Sequence, residues 1–588
     1  MAPASYPGRV LGNGEIASLL YELARLTTLE DGSSQSFRVR AYEEAARVVE
    51  GHPQPVAALG EDELAGLRSV GRSTARKIRE LVETGHMAKL DGLRAQYPPS
   101  FQELTRVPGV GPKTALALRQ HLGIQSVQDL KAAVEAQALR TVPGLGVKSE
   151  ENIARAIERL GVGGKERRTP IGEALRVAAD VTEALGAVPG VVRAEVMGSL
   201  RRFRETIGDI DVVVAAESGP EAVMSRFTSM PLVAEVIAYG ARKSAIVSSS
   251  GCQIDLRVVE PGQYGSAALY FTGSKAHNIR LRQRAIERGW TLSEYGLADA
   301  ETGEVIASAT EEAVYAALGL PWIPPELRED DGEIELATEG ALPRPIRPED
   351  LRGDLHLHTD LSGDGREPLE AMLTAAAARG YEYLAITDHA EDLAINGVSR
   401  EGLTAQRCRL EDLRGRFPKT TLLHGTELNI GPDGTVDYDP AFLAGLEWTM
   451  AGVHSHFELD REAQTRRLVT AMRNPAVRAI AHLSGRKIGR RPGIDLDVES
   501  VLAAAEETGT ALEINCHLDR LDASVEVLRA ARGREVVFLI NTDAHDAREL
   551  ANTAWGVRHA LRGWVEPDRV ANTWPRERFL AWVRDGRR

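Results

Sequence analysis

Cysteine is scarce: Cys252, Cys408 and Cys516 are the only three in 588 residues, and none forms a CxxC pair. That scarcity excludes a disulfide framework and a thiolate zinc knuckle, and it fits a reducing compartment. Long apolar runs are missing too. No stretch approaches the roughly 18 residues that a membrane span needs, and "MAPASYPGRVLGNGEIASLL" lacks the basic start and apolar core of a signal peptide. These absences predict a cytoplasmic chain with no membrane partner. An excess of positive charge is also lacking, since the net charge is −14, and on its face this argues against nucleic acid as a partner. The total misleads. Acids gather in "ELREDDGEIELATEG" (326–340), whereas "RSTARKIRE", "GSLRRFR" and "GRKIGRR" are locally basic.

A chain of this length exceeds one hydrophobic core, so several domains are expected. The first 165 residues alternate short amphipathic helical patterns with glycine turns. Between about 190 and 260, β-rich runs take over: "VVRAEVMGS", "DIDVVVAA" and "CQIDLRVVE". Residues 319–349 are rich in proline and acid, the composition of a linker. Beyond them, strand-like pieces ("YLAITDH", "TLLHGTELNI", "AIAHLS", "ALEINC", "VVFLINTDAH") alternate with alanine-rich helical pieces, the rhythm of a β/α layered or barrel domain.

An internal repeat marks the helical part: "SVGRSTARKI" (69–78), "VPGVGPKTAL" (107–116) and "VPGLGVKSEE" (142–151). Glycine permits a tight turn, so that backbone N–H groups at the next helix start can face a phosphate. Three copies favour a helix-hairpin-helix clamp on the DNA backbone over plain turn packing. The candidate contacts are Gly71, Gly109, Gly111, Lys113, Gly144, Gly146 and Lys148.

In "GSLRRFRETIGDIDVVVAA" the acids Asp209 and Asp211 stand at i and i+2 of a β-branched run, so alternation sends both carboxylates to one face of a strand. Asp255 lies in a second strand-like run, "QIDLRVV". Three carboxylates on adjacent strands can hold two divalent ions, one activating an attacking oxygen and one steadying a triphosphate leaving group. A single DxD is often only a turn and a strand end. The additional Gly198, Ser199, Arg201 and Arg202 ahead of the acids raise the specificity of the pattern.

This constellation resembles the nucleotidyltransferase palm, and more closely the bacterial family X DNA polymerases. The resemblance runs from near residue 10 to 318 and takes in "FRVRAYEEAA" (37–46), "YFTGSKAHNIRLR" (270–282) and "SEYGL" (293–297). It implies Asp209, Asp211 and Asp255 as catalytic ligands of Mg2+ or Mn2+, with Asp255 helping to activate the primer 3′-hydroxyl. It also implies Ser199, Arg202 and Gly208 with Gly198 at the triphosphate, and Tyr270 and Phe271 at the sugar. Gly273 and Asn278 are further nucleotide contacts, with Arg280 as a candidate at the base or template. In some relatives the place of Lys77 holds a Schiff-base nucleophile that removes a 5′-deoxyribose phosphate. Arg72 and Arg76 nearby could lower its pKa, but the neighbouring family lysine is Ser73 here. Lys77 is therefore read first as a phosphate contact and second as a lyase residue.

Ten of the fourteen histidines follow residue 353, clustered at the ends of apolar runs. In a barrel such positions converge at one mouth, and nitrogen with carboxylate donors favours zinc, manganese or iron. The series resembles the PHP (polymerase and histidinol phosphatase) domain over about 350–575. That family's pattern would use His356, His358, Asp364, His389, Glu427, His454, His482, Asp543 and His545 to hold up to three ions, Mn2+ or Zn2+. The motif "LSGDG" carries an inserted glycine, so Asp360 competes with Asp364, which is preferred because it keeps the Asp-Gly turn. His424, His456 and His517 are expected beside the site or on the surface. Arg486, Lys487, Arg490 and Arg491 could hold a nucleic-acid backbone or form a solvated basic loop.

The resulting expectation is a multidomain α/β and α+β chain. Its parts are an N-terminal helical lyase-like domain (1–90), helix-hairpin-helix fingers (91–165), a palm (166–260), a thumb (261–318), a linker (319–349) and a PHP-type distorted barrel (350–588). The resemblance implies a repair polymerase that fills short gaps from dNTPs on gapped or nicked DNA. It adds a 3′–5′ exonuclease, or an abasic-site endonuclease, at the PHP site. A monomer is favoured, with other repair proteins as further partners. Two alternatives are a DNA-binding scaffold with a structural metal module and a small-molecule phosphatase. The intact acids oppose the first, and the repeats and basic loops oppose the second.

Overall fold

The three glycine-led repeats each start a helix. In the computed structural model, which describes residues 12–585 except 34–35, 51, 53, 106, 108 and 160–167, the helices Arg72–Thr84, Pro112–Leu122 and Val147–Arg159 follow directly on Gly71, Gly111 and Gly146. Gly109 and Gly144 turn the chain at φ 89° and 87°, and Ser69 holds the matching place in the first copy at φ 64°. The first repeat has thus lost the glycine and kept the turn, in a conformation that disfavours a side chain. The expected helical domains 1–90 and 91–165 share one continuous apolar core, which runs from Ile16 to Ile157. Residues 1–11 and the expected boundary at 165 lie outside the described residues.

The palm is a five-stranded sheet in the order Val191–Val196, Asp209–Ala216, Gln253–Val259, Lys243–Ser248, Val233–Tyr239. The second and third of these strands run parallel, and the other pairs are antiparallel. The sheet packs on the helices Ile171–Gly186 and Glu221–Thr228. The thumb adds the helices Tyr264–Thr272 and Lys275–Ile286 and a three-stranded sheet over residues 290–307.

Residues 319–349 are not a free linker. Ile323, Leu327 and Ile334 join the thumb core, which continues into Leu561 and Trp564 of the C-terminal domain. The charges that suggested a solvated segment are buried and paired. Arg328 binds Glu311, Glu333 accepts from His277, and Glu326 accepts from Arg558. Partners remote in sequence satisfy charges that composition alone reads as solvent-facing.

The C-terminal domain is a parallel seven-stranded barrel whose strands follow chain order, from Gly353–Asp354 to Phe538–Asn541. A parallel bridge from Leu357 to Ala544 brings its first and last strands together, with His358 N donating to Ala544 O at 2.9 Å. Most of the strands are wholly buried, as the near-continuous apolar runs require. Among the described residues no helix is long and apolar enough to cross a membrane.

Two candidate metal centres

Strand register builds the palm site. Asp211 stands directly opposite Asp255, and Asp209 is two residues earlier on the same face. Ligand atoms of all three lie within 4.8 Å of one another. Burial, and then the charges of Asp209 and Asp255, push the Asp211 carboxyl up to about 7. A bound divalent cation would favour the ionised form of this group, and the three-acid set suits a hard ion with oxygen ligands. Gly198, at φ 62°, leaves room for it, since a Cβ there would come within 2.2 Å of Asp211 Oδ2.

The expected nucleotide contacts surround this face unevenly. Ser199 is half-buried on the short helix Gly198–Arg201, and half-buried Gly208 directly precedes Asp209. Arg202 is committed to protein partners in this state, donating to Glu329 Oε1 at 3.1 Å and to Thr272 O. Tyr270 and Phe271 meet edge to face at 5.1 Å. A Cβ at Gly273 would sit 3.1 Å from Arg202 Nη1. Asn278 Nδ2 donates to Tyr270 O at 2.7 Å. Arg280 is turned to Asp330 and Glu335.

At the barrel mouth the expected residues converge from separate strand ends. Three overlapping groups form: His356, His358 and Asp543; His358, Asp364, His389 and His545; and His389, Glu427 and His454. In the first, His356 Nε2, His358 Nε2 and Asp543 Oδ1 stand 3.1, 3.3 and 3.2 Å apart. Two donors each about 2.1 Å from one ion lie about 3.0–3.4 Å apart, so this triangle has the spacing of a shared ligand set. In the third, Glu427 lies 2.9 Å from His389 Nδ1 and 3.1 Å from His454 Nε2. His482 Nε2 is 2.8 Å from Glu427 Oε1 but belongs to none of the three groups. Asp364 Oδ2 is 3.2 Å from His389 Nε2 and 3.5 Å from His545 Nε2, whereas Asp360 is exposed. The fold therefore brings Asp364, and not Asp360, to the cluster.

Two further observations fit cations here. Asp364 Oδ1 and His482 Nδ1 are buried without a hydrogen-bond partner. A Cβ at Gly452 would approach His482 Cε1 to 2.6 Å and Glu427 Oε1 to 2.9 Å, so only glycine lets these donors close in. Burial would raise the Glu427 carboxyl, but the imidazoles of His454, His356, His389 and His482 outweigh it and hold the group ionised.

Residues that the sequence did not single out orient the donors. Glu513, wholly buried, accepts from His356 Nδ1 at 2.7 Å, from His482 N at 2.8 Å and from Asn541 Nδ2 at 3.0 Å. Asn429 Oδ1 meets His454 Nδ1 at 2.7 Å, and Asp543 O meets His545 Nδ1 at 2.7 Å. With Nδ1 tied as the donor, each Nε2 presents a lone pair inward. The acid inside the apolar run "ALEINC" was the available signal, because a carboxylate on a buried strand requires a partner.

The bland histidines stay outside the cluster. His424 is buried behind its strand, His456 is exposed, and His517 lies 2.5 Å from Asp519. The basic loop corrects an expectation. Arg486 pairs, half-buried, with Glu205 of the palm, Lys487 pairs with Asp519, and Arg491 lies over the Phe457 ring at 3.9 Å. Only Arg490 of the four is exposed, since the palm takes up the charge of Arg486 and the barrel domain's own Asp519 and Phe457 engage Lys487 and Arg491.

In the helical body, the turn residues Gly71, Gly109, Gly111, Gly144 and Gly146 are exposed, together with Lys113 and Lys148. Lys77 Nζ donates to Ser73 Oγ at 2.8 Å and lies 5.6 Å over the Tyr42 ring. Partial burial, and then the charge of Lys89, draw its pKa below the usual lysine value.

Comparison with known proteins identifies the family. Family models match for a helix-hairpin-helix domain (residues 11–87), a SAM-like helix-hairpin-helix tandem (101–159), a DNA polymerase beta thumb (267–329) and a PHP domain (354–517). The thumb match reaches past residue 318, in keeping with the packed segment there. DNA polymerase lambda of Rattus norvegicus is 27% identical over 50% of this chain and 52% of its own length, and that of Arabidopsis thaliana 26% over 49% and 57%. The DNA polymerase/3′–5′ exonuclease PolX of Bacillus subtilis (strain 168) is 37% identical over 91% of this chain and 93% of its own length. The chain belongs to the bacterial family X DNA polymerases that carry a C-terminal PHP domain.

Proposed function

We propose that the palm adds nucleotides to primer 3′ ends at short gaps in DNA and that the barrel mouth degrades DNA from its 3′ end. The observation that carries the first activity is the register of Asp211 against Asp255 with Asp209 on the same face. The equidistant His356, His358 and Asp543 atoms support the second. Divalent cations, when bound, supply charge stabilisation and lower the pKa of an attacking hydroxyl or water. Asp209, Asp211 and Asp255 would hold Mg2+ or Mn2+. The nine barrel residues, His482 included, would hold up to three ions, with Mn2+ or Zn2+ matching the imidazole donors.

Ser199, Arg202, Gly198 and Gly208 serve the triphosphate, Tyr270, Phe271, Gly273 and Asn278 the nucleoside. The exposed repeat turns present backbone N–H groups and Lys113 and Lys148 to the phosphates of gapped or nicked DNA, without reading sequence. A cytoplasmic monomer, meeting other repair proteins at the same ends, completes this reading.

The test is a pair of assays on gapped DNA with manganese. Asp255→Ala is expected to abolish nucleotide addition and leave 3′ degradation, and His356→Ala to do the reverse. Degradation that persists in His356→Ala would remove the exonuclease assignment. Lys77 serves first as a phosphate contact, and its lowered amine pKa is compatible with a second role as a Schiff-base nucleophile. Borohydride trapping on an incised abasic substrate, undiminished in Lys77→Ala, would remove it.

A further inference from the structure

The loop from Gly198 to Gly208 joins the candidate triphosphate contacts Ser199 and Arg202 to Asp209, and groups from outside the palm fix its path. Arg558 Nη2 donates to Arg201 O at 2.7 Å, its Nε donates to Glu326 Oε1 at 2.6 Å, and its guanidinium lies 4.5 Å over the Phe203 ring. Arg562 Nη1 donates to Phe203 O at 3.1 Å. Trp555 stacks on Phe203, with centroids 6.0 Å apart and planes 12° from parallel. Phe203 is wholly buried at φ 59°, a conformation that a bulky residue keeps only where its surroundings hold it. Further along, Glu205 receives the fork of Arg486 at 3.1 and 2.8 Å.

Trp555, Arg558 and Arg562 all lie on one helix of the barrel domain, Thr553–Arg562. That helix has little freedom to shift. A Cβ at Gly556 would meet Cys516 Sγ at 2.3 Å and Ile540 Cγ2 at 2.7 Å, so the helix lies against the strands Ala511–Asn515 and Phe538–Asn541. Charge-assisted donors on the carbonyls of Arg201 and Phe203, two residues apart, constrain direction as well as distance. Simple docking of two domains needs apolar area, which Ile488 and Leu521 already supply by entering the palm core. The arginines instead grip the backbone on either side of Arg202.

We propose that helix Thr553–Arg562 is a positioning element of the polymerase, in which Arg558 and Arg562 hold the loop so that Ser199 and Arg202 meet the incoming triphosphate. Nucleotide affinity at the palm then depends on the docked barrel domain. The inference rests on the reading of Ser199 and Arg202 as triphosphate contacts, and the control below separates the two.

The test is single-nucleotide extension on gapped DNA by the full chain, with the dNTP concentration varied, beside 3′ degradation by the same preparations. Arg558→Ala and Arg562→Ala are each expected to raise KM for dNTP about tenfold, with kcat within about threefold and degradation within about twofold of wild type. Arg558→Lys, which keeps one donor for the Arg201 carbonyl, should fall between. Ser199→Ala, the control, should raise KM as well. If Ser199→Ala raises KM and both alanine variants leave it unchanged, the positioning role is overturned. A parallel fall of extension and degradation in both variants also overturns it, in favour of general docking. An unchanged KM in Ser199→Ala removes the premise, and the proposal with it.

Discussion

His356 Nδ1 donates to Glu513 Oε1 at 2.7 Å, and neither residue is exposed to solvent. The pair fixes the imidazole so that Nε2, the atom 3.1 Å from His358 Nε2, faces the centre of the cluster. Outer partners of this kind are worth about 10–100-fold in metal affinity. Glu513→Gln is therefore expected to lower barrel metal affinity by that order and to slow 3′ degradation with it, while primer extension is kept. Metal content after dialysis against graded Mn2+ checks this, and unchanged occupancy would refute the orienting role.

Asp211 carries a pH prediction. Burial and the two neighbouring acids push its carboxyl up to about 7, above the ordinary aspartate value. Below that pH a cation must displace a proton, so binding releases about one proton at pH 6 and about a tenth of one at pH 8. Apparent affinity for Mg2+ should rise with pH up to about 7 and then level off. Calorimetry in two buffers of different ionisation enthalpy, taken as the difference between wild type and Asp211→Ala, measures the proton count. A value near zero at pH 6 would contradict the shift.

Ser69 gives a stability prediction. It holds φ 64° where the other two repeats use glycine, and a side chain in that region costs about 1–2 kcal/mol, partly offset by the greater unfolded-state entropy of glycine. Ser69→Gly should stabilise the helical body by up to about 1 kcal/mol. Denaturant unfolding checks it, and a lower midpoint would mean that the serine side chain contributes something the turn geometry does not show.

The chemistry-bearing residues were the most legible part of the sequence, because their spacing follows local periodicity. Asp209 and Asp211 share a strand face by alternation, and the barrel donors fall at strand ends. The choice of Asp364 over Asp360 needed the course of the loop. What composition misread was charge. Glu326, Arg328 and Glu333 look solvated in a proline-rich stretch, yet each is buried against a partner outside that stretch, and Arg486, which looks free beside Lys487, is half-buried against Glu205 of the palm. Glu513 escaped for the same reason, since its partners His356, His482 and Asn541 are non-local. The hairpin of Val233–Tyr239 and Lys243–Ser248 gave little signal, because the first of these is a largely exposed edge strand.

The bridge between Leu357 and Ala544 has a consequence for how the protein is made. His356 and His358 leave the ribosome early in the barrel, and Asp543 and His545 almost two hundred residues later. The first triangle of donors cannot form until the final strand closes against the first, a non-local step that comes after every intervening crossover. By then the palm and its acids have long been synthesised. A growing chain thus holds the three palm acids before it can assemble the first barrel triangle, and a chain truncated before residue 543 lacks both that triangle and the helix Thr553–Arg562 that holds the palm loop.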